Sequence, residues 1–167
     1  MIREFYITDD LIASQGQRLA NYFIDLAFRY LILFVIAIIL AFIGEATGNY
    51  GITDWLENIS TVQDYLISFT TAILYYLIME SLLSKSLGKY ITKTMVVMED
   101  GTKPDFQTIF KRTFCRLIPF DGLSFLGTPP RGWHDTISNT CVVKKDLFDE
   151  KVRLFYSLDE IGVDAEN

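Results

Sequence analysis

The sequence has 167 residues, half of them hydrophobic and 14% aromatic, and its formal net charge at pH 7 is −6. Proteins hold a phosphate backbone through clustered Lys and Arg, so this acidic balance argues against nucleic acid as a partner. Cys115, Cys141 and the single histidine, His134, lack the spacing of a zinc site, and we expect no metal and no cofactor.

The longest hydrophobic stretch lies near the N-terminus. Between residues 19 and 43 only three polar side chains interrupt the apolar run: Asn21, Asp25 and Arg29. A helix of about 20 residues crosses the hydrocarbon core of a bilayer, so we predict a first membrane span at about 19–43. Residues 1–17 do not have the pattern of a cleavable signal peptide, and we interpret the span as an uncleaved anchor that follows a cytoplasmic segment.

A second hydrophobic run covers about residues 65–83, with Glu80 as its only charge. Lys and Arg are excluded from the intervening residues 44–64, which we interpret as a hydrated loop, whereas they occur on the outer side of both runs. The positive-inside rule then places both termini in the cytoplasm. We therefore expect an integral protein of the bacterial plasma membrane, in contact with the lipid bilayer.

Charged side chains of the first span share one helix face. Arg18 and Asp25 are about two helical turns apart, with Asn21 between them, and Arg29 follows Asp25 by about one turn. A charge at the bilayer centre costs about 3 kcal/mol or more, so such residues normally face protein or water. Because Arg29 and Glu80 lie at comparable depth in the two spans, we predict that they pair, or that they share a polar cluster with Asp25.

The residues after the second span contain two short strand patterns. Thr94–Met98 ends in an Asp-Gly turn, and Thr140–Val143 has a similar character, so the two strands are predicted to pair at the membrane surface. Gly88-Lys89 lacks the remaining frame of a phosphate-binding loop, and we reject that interpretation.

A third amphipathic segment lies between these strands, at about residues 105–126. Its aromatic and aliphatic residues recur at helical spacing, and its basic residues take the other positions: Phe110, Phe114, Leu117 and Ile118 against Lys111, Arg112 and Arg116. This pattern is typical of a helix in the membrane interface. Pro119 and Gly122 interrupt it, so we predict an interfacial or re-entrant helix, with a short third span as the alternative.

These elements predict an all-α membrane protein built on a two-span helical hairpin, with a third interfacial or re-entrant helix and a short cytoplasmic strand pair. Its organisation is an N-terminal segment at 1–17, a membrane domain at 18–145, and an acidic tail at 146–167. The tail is rich in Asp and Glu, and we expect it to be a loosely ordered, solvated extension.

The arginine and aspartates of the sequence resemble a known pattern. Arg18, Asp25 seven residues later and Asp135 are similar to the arginine and two aspartates for which the RDD family of small membrane proteins is named. The resemblance extends from about residue 13 to residue 143, which is most of the chain.

Two further segments carry the same resemblance. Ser84–Lys89 is similar to the family's Gly-x-Thr-x-Gly-Lys segment, with serine at positions 84 and 86, and Val96–Gly101 is similar to the Val-Val and Asp-Gly pattern that follows. The function of the family is largely open. The resemblance implies transport of unidentified ligands as one activity, with sodium/proton exchange suggested for some members.

The charge cluster of the sequence has two interpretations. In the first it is a structural clamp, in which Asp135 ties the C-terminal part to Arg18 through a charge-assisted bond. In the second it is a cation or proton relay that uses Asp25 and Glu80, because burial raises the pKa of a carboxylate and a nearby arginine lowers it. A lone His134 beside a tryptophan is more often a packing or hydrogen-bonding residue than a titrating switch.

Two functions follow, and we expect neither to be enzymatic because no nucleophile and base pair stands out. The first is an ion or small-solute transporter, which as a two-span chain would need a homo-oligomer or membrane partner. The second is a non-transporting adaptor or scaffold that presents its cytoplasmic surface to a partner. The site candidates are Arg18, Asp25, Arg29, Glu80 and Asp135, with Asn21, Tyr76, His134 and Lys89 as secondary residues.

Overall fold

A computed structural model describes residues 5–165, with side chains for residues 5–157. A 3-10 helix at Asp9–Leu11 is followed in chain order by α1 (Gln15–Thr47), α2 (Gly51–Glu57), α3 (Thr61–Leu83), α4 (Leu87–Ile91), β1 (Thr94–Met98), α5 (Phe106–Cys115), a second 3-10 helix (Asp121–Leu126), α6 (Trp133–Ile137), β2 (Thr140–Lys144) and α7 (Lys145–Ala165). The predicted all-α membrane-type fold with one small strand pair is confirmed.

The two long helices, α1 and α3, are each long and apolar enough to cross a membrane. Ser14 and Ser60 begin them with capping boxes, in which the serine hydroxyl accepts from a main-chain N–H at the third helical position. Gly48 ends α1 in the left-handed conformation, with φ at 65°. At 1.5 Å per residue α1 is about 50 Å long, well beyond a hydrocarbon core of about 30 Å. One end of α1 therefore projects out of the bilayer.

The projecting end is the polar one, and it is covered by the rest of the chain. We call the elements that cover it the cap, which comprises residues 5–13 and 84–165. The two spans form the hairpin. Between the spans the predicted loop contains the short helix α2.

A small sheet lies at the centre of the cap. Strands β1 and β2 pair antiparallel, with Val96 opposite Val142, which confirms the predicted strand pair. Both strands are rich in β-branched residues, which suit a pleated, half-buried surface. The segment before α1 joins them, because Ile12 bridges Val143 and the Ala13 main-chain N–H donates to the Val142 carbonyl at 2.8 Å.

The tail is a helix, so the expectation of a loosely ordered extension at 146–167 is wrong for the described part of it. Helix α7 runs from Lys145 to Ala165, and Phe148 and Val152 pack against the sheet core beside Leu11 and Val143. The high content of acidic residues concealed an amphipathic helical spacing of these apolar residues. Residues 166 and 167 lie outside the described part.

The predicted helix at 105–126 is divided into two elements. Helix α5 ends at Cys115, and a 3-10 helix follows only after Pro119 and Phe120. Ten residues of helix rise about 15 Å, which is half of a hydrocarbon core, so α5 is not a third span. Its exposed face carries Phe110 in ring contact with Phe106 and Phe114. That aromatic row is compatible with the predicted position in the membrane interface.

Candidate functional site

Charged side chains from the hairpin and the cap meet in one buried cluster, where α1 and α3 leave the apolar region. We call the following residues the charge cluster: Arg18, Asp25, Glu80, Lys89, Arg112, Arg116 and Asp135. All but Arg116 are buried, and Arg116 is partly buried.

Glu80 of α3 contacts three cations of the cap. Its carboxylate accepts from Lys89 Nζ at 2.7 Å, from Arg112 Nε at 3.1 Å and from Arg116 Nη2 at 2.9 Å. Lys89 lies in α4, Arg112 lies in α5, and Arg116 directly follows the last residue of α5. The end of α3 is therefore attached to two cap helices through a single side chain.

Arg112 connects this carboxylate to a second one. Its side chain is fully buried, and its Nη1 donates to Asp135 of α6 and to the Thr140 hydroxyl of β2. Asp135 also accepts from Arg18 of α1 and from the Gly132 main-chain N–H. Burial disfavours the charged carboxylate, but Arg112 and Arg18 hold the pKa of Asp135 well below its usual range. Asp135 is therefore an ionised member of an α1, α5 and α6 junction.

Asp25 joins α1 to α4 by a different set of bonds. It accepts from the Tyr75 hydroxyl at 2.8 Å, from the Ser86 hydroxyl at 2.5 Å and from the Gly88 main-chain N–H at 2.7 Å. A side chain at position 88 would place a Cβ 2.5 Å from the main-chain oxygen of Asn21. Glycine is thus required here because the backbones of α1 and α4 are in close approach.

His134 forms a separate buried pair beside the cluster. Its Nδ1 lies 2.6 Å from an Asp121 oxygen, and its main-chain N–H donates to the other oxygen at 2.9 Å. Burial, followed by the nearby charge of Arg116, lowers the pKa of His134 to about 4. The imidazole is accordingly neutral at pH 7 and donates its Nδ1 hydrogen to the carboxylate.

A cavity of about 40 Å³ lies inside the charge cluster. One water needs roughly 10–15 Å³ of such space, so the cavity has room for hydration of the ions around it. Arg18 Nε and Nη1 and Arg112 Nη2 are buried without a protein acceptor. These N–H groups lie on residues that line the cavity, which supplies the space in which they can be hydrogen-bonded.

Most of the predicted site residues come together here. Arg18 and Asp135 form the expected ion pair. The secondary candidates also line the same cavity: Asn21, Tyr76, Lys89 and His134. The Asn21 amide is within hydrogen-bond distance of the Thr92 and Thr94 hydroxyls, so it attaches α1 to the start of β1.

Direct pairing of Arg29 with Glu80, the first of the two predicted arrangements, is wrong. The second, a polar cluster shared with Asp25, is met by Glu80, since both carboxylates lie beside Lys89. Among the described residues Glu80 is paired with Lys89, Arg112 and Arg116, and Arg29 has no ion pair. The Arg29 guanidinium lies instead over the Tyr76 ring, 5.8 Å from its centroid. Equal depth in two helices does not fix the direction in which their side chains point.

Arg112 and Arg116 are site residues that the sequence reasoning placed elsewhere, on the basic face of an interfacial helix. Their spacing of one turn was the available signal, because two cations at i and i+4 reach the same neighbour. In the structure Lys111 is exposed and Arg112 is fully buried. The basic residues of α5 therefore face two different environments.

The charge cluster leaves none of the oxygens of its three carboxylates without a hydrogen bond from the protein. Both oxygens of Asp25, Glu80 and Asp135 already accept hydrogen bonds from protein donors. Among the described residues no group of three or more His, Cys, Asp or Glu side chains is placed to hold a metal ion. The cluster is suited to joining helices.

The chain has two apolar spans and a charge cluster that contains Arg18, Asp25 of the first span and Asp135 of the cap. These features define an integral-membrane type of protein. The chain belongs to the RDD family, whose model matches residues 12–144. Comparisons with curated proteins and with solved structures give no match.

Proposed function

We propose that this protein is a membrane-anchored adaptor, in which the hairpin holds the folded cap at the bilayer surface and the charge cluster fixes the two parts together. The observation that carries the proposal is the saturation of the buried carboxylates. Glu80 accepts from three cations of the cap, and Asp135 accepts from Arg18 and Arg112.

A cation or proton exchanger needs a carboxylate that changes partners during its cycle. Asp135 stays ionised far below neutral pH, because the charges of Arg112 and Arg18 outweigh the effect of burial on its pKa. Displacing three cations from Glu80 would leave buried charges unpaired, which typically costs about 3–5 kcal/mol. These properties favour a fixed junction over a relay.

Ion flux in proteoliposomes tests the proposal directly. Wild type is compared with Asp25→Asn and Glu80→Gln at matched protein amounts, with Asp64→Asn as the control, because Asp64 is an exposed carboxylate in the first turn of α3. We expect no sodium or proton flux in any of them, and lower stability of the two cluster variants only. Ion flux that is present in wild type and absent from the cluster variants would contradict the adaptor role and show that the protein is a transporter.

Site-specific photo-crosslinking in cells tests the adaptor role from the other direction. Leu147 and Leu154 are exposed on α7 of the cap, whereas Ile52 is exposed on α2 at the opposite end of the hairpin. We expect a discrete crosslinked protein from probes at the two cap positions and none from position 52. Equal crosslinking at all three positions would contradict recruitment through the cap.

A further inference from the structure

An apolar groove of about 630 Å³ is lined by both spans and by residues 113–123 of the cap, and it meets the charge cluster at Tyr76 and Arg116. Its volume falls within the roughly 300–1,000 Å³ of ligand pockets. Aliphatic and aromatic side chains line most of it: Leu26, Leu33, Phe69, Ala72 and Ile73. Tyr30 and Phe69 are both lining residues and exposed, so the groove is open on the outer surface of the hairpin.

One end of the groove carries two arginines. Arg29 and Arg116 both lie against the Tyr76 ring, at 5.8 and 4.0 Å from its centroid. The Nε atom of each is buried without a hydrogen-bond acceptor. Arg116 uses Nη2 to pair with Glu80, whereas Arg29 has no carboxylate partner in the described part of the chain.

The charges around this end do not balance. Five cations surround the junction: Arg18, Arg29, Lys89, Arg112 and Arg116. Four carboxylates face them: Asp25, Glu80, Asp121 and Asp135. His134 is neutral at pH 7, and Asp121, which also lines the groove, accepts from His134 through both of its oxygens. The unmatched charge is therefore Arg29, in the wall of the groove.

The length of the groove matches one leaflet of a bilayer. Along α3 it extends from Tyr76 at the arginine end to Tyr65. Eleven residues of helix rise about 16 Å, which is close to half of a hydrocarbon core of about 30 Å. Arg29 lies 18 residues before the end of α1 at Thr47, or about 27 Å, which places it near the cap-side edge of that core.

We propose that the groove binds a diacyl lipid with an anionic phosphate headgroup, drawn from the cap-side leaflet. Its phosphate accepts from the free guanidinium N–H groups of Arg29 and Arg116, and an acyl chain lies along Leu33, Ala72 and Phe69. Arginine suits this role because its planar donors match phosphate oxygens. The bound lipid supplies the negative charge that the protein lacks at this depth.

A second copy of the chain does not supply that charge. Asp25 and Glu80 are buried and already paired, whereas Glu45 and Asp64 lie near the opposite ends of the spans. A lipid phosphate is available at the edge of the bilayer and carries the required charge. A lipid can occupy the groove whether or not the cap recruits a partner.

Native mass spectrometry of the full chain, after exchange into mixed micelles with equal phosphatidylglycerol and phosphatidylcholine, tests the inference. We expect wild type to retain one phosphatidylglycerol with a preference of roughly tenfold, the effect of one charge-assisted hydrogen bond. Arg29→Gln abolishes the preference. Arg153→Gln, an exposed arginine of α7, leaves it unchanged. Ala72→Phe fills the groove and lowers retention of both lipids, which keeps the test valid if Arg29→Gln folds poorly.

Several results would overturn the assignment. Equal retention of the two lipids by wild type would exclude the proposed contact between the phosphate headgroup and Arg29. A preference that survives Arg29→Gln in a folded variant would exclude it as well. Displacement of the lipid by millimolar inorganic phosphate would show that the site binds phosphate alone and that the acyl chain does not contribute. A lipid-free dimer that dissociates in Ala72→Phe shows that a second copy occupies the groove.

Discussion

Replacement of Arg112 with glutamine removes the side chain that, among the described residues, joins Glu80 to Asp135. The guanidinium is fully buried and donates to both carboxylates and to the Thr140 hydroxyl. Breaking a buried ion pair typically costs about 3–5 kcal/mol, because it leaves a charge uncompensated. Here Glu80 and Asp135 each keep other donors, so we expect the lower end of that range, about 3 kcal/mol.

The assay is an SDS titration in mild detergent, followed by circular dichroism, with limited proteolysis to detect release of the cap from the hairpin. Lys93→Gln is the control, since Lys93 pairs with Asp146 at 3.4 Å while both side chains are mostly exposed. Such surface pairs contribute at most about 1 kcal/mol. If Arg112→Gln were no less stable than Lys93→Gln, the cluster would not be what joins cap and hairpin.

Three further changes test other parts of the structure. Gly88→Ala places a Cβ 2.5 Å from the Asn21 oxygen and should cost at least about 2 kcal/mol in the same titration. Gly127→Ala should cost far less, because its Cβ would meet only the Ser124 main-chain oxygen, at a van der Waals distance of 3.9 Å. The folded-state pKa of His134, about 4, lies below its ordinary value of 6.5, so unfolding takes up a proton between these values. Stability should therefore fall by up to roughly 3 kcal/mol as the pH drops through that window, and unfolding midpoints at pH 7 and pH 4.5 should converge in His134→Gln. Phe148→Ala should cost roughly 3 kcal/mol and accelerate amide hydrogen exchange in β2 and α7, which would stay unchanged if α7 were not part of the core.

The spans and the strand pair were predictable because their signals are local. A run of apolar residues fixes a membrane span, and β-branched residues between turns fix a strand. The pairing of Arg18 with Asp135 was also predictable. A charge at the start of a span needs an oppositely charged partner, and the resemblance to the family pattern indicated Asp135.

The partners of Glu80 could not be predicted from the sequence in this way. Lys89, Arg112 and Arg116 reach it only after α4 and α5 fold back against the hairpin, and no local pattern encodes that return. Neighbouring residues of a helix point about 100° apart around its axis. Lys111 and Arg112 are both basic and adjacent in the sequence, yet Lys111 faces solvent and Arg112 is buried. Likewise, the abundance of acidic residues in α7 concealed the apolar stripe by which it packs.

The order of charges along the chain has a consequence for biosynthesis. Glu80 arrives at the membrane with the second span, yet each cation that it contacts, Lys89, Arg112 and Arg116, is translated later. Until the ribosome has released residues 112–116, Glu80 of the nascent hairpin lacks two of its three cationic partners. A polypeptide interrupted between residues 89 and 112 keeps Lys89 but lacks both arginines, so the buried carboxylate of an incomplete product is only partly paired.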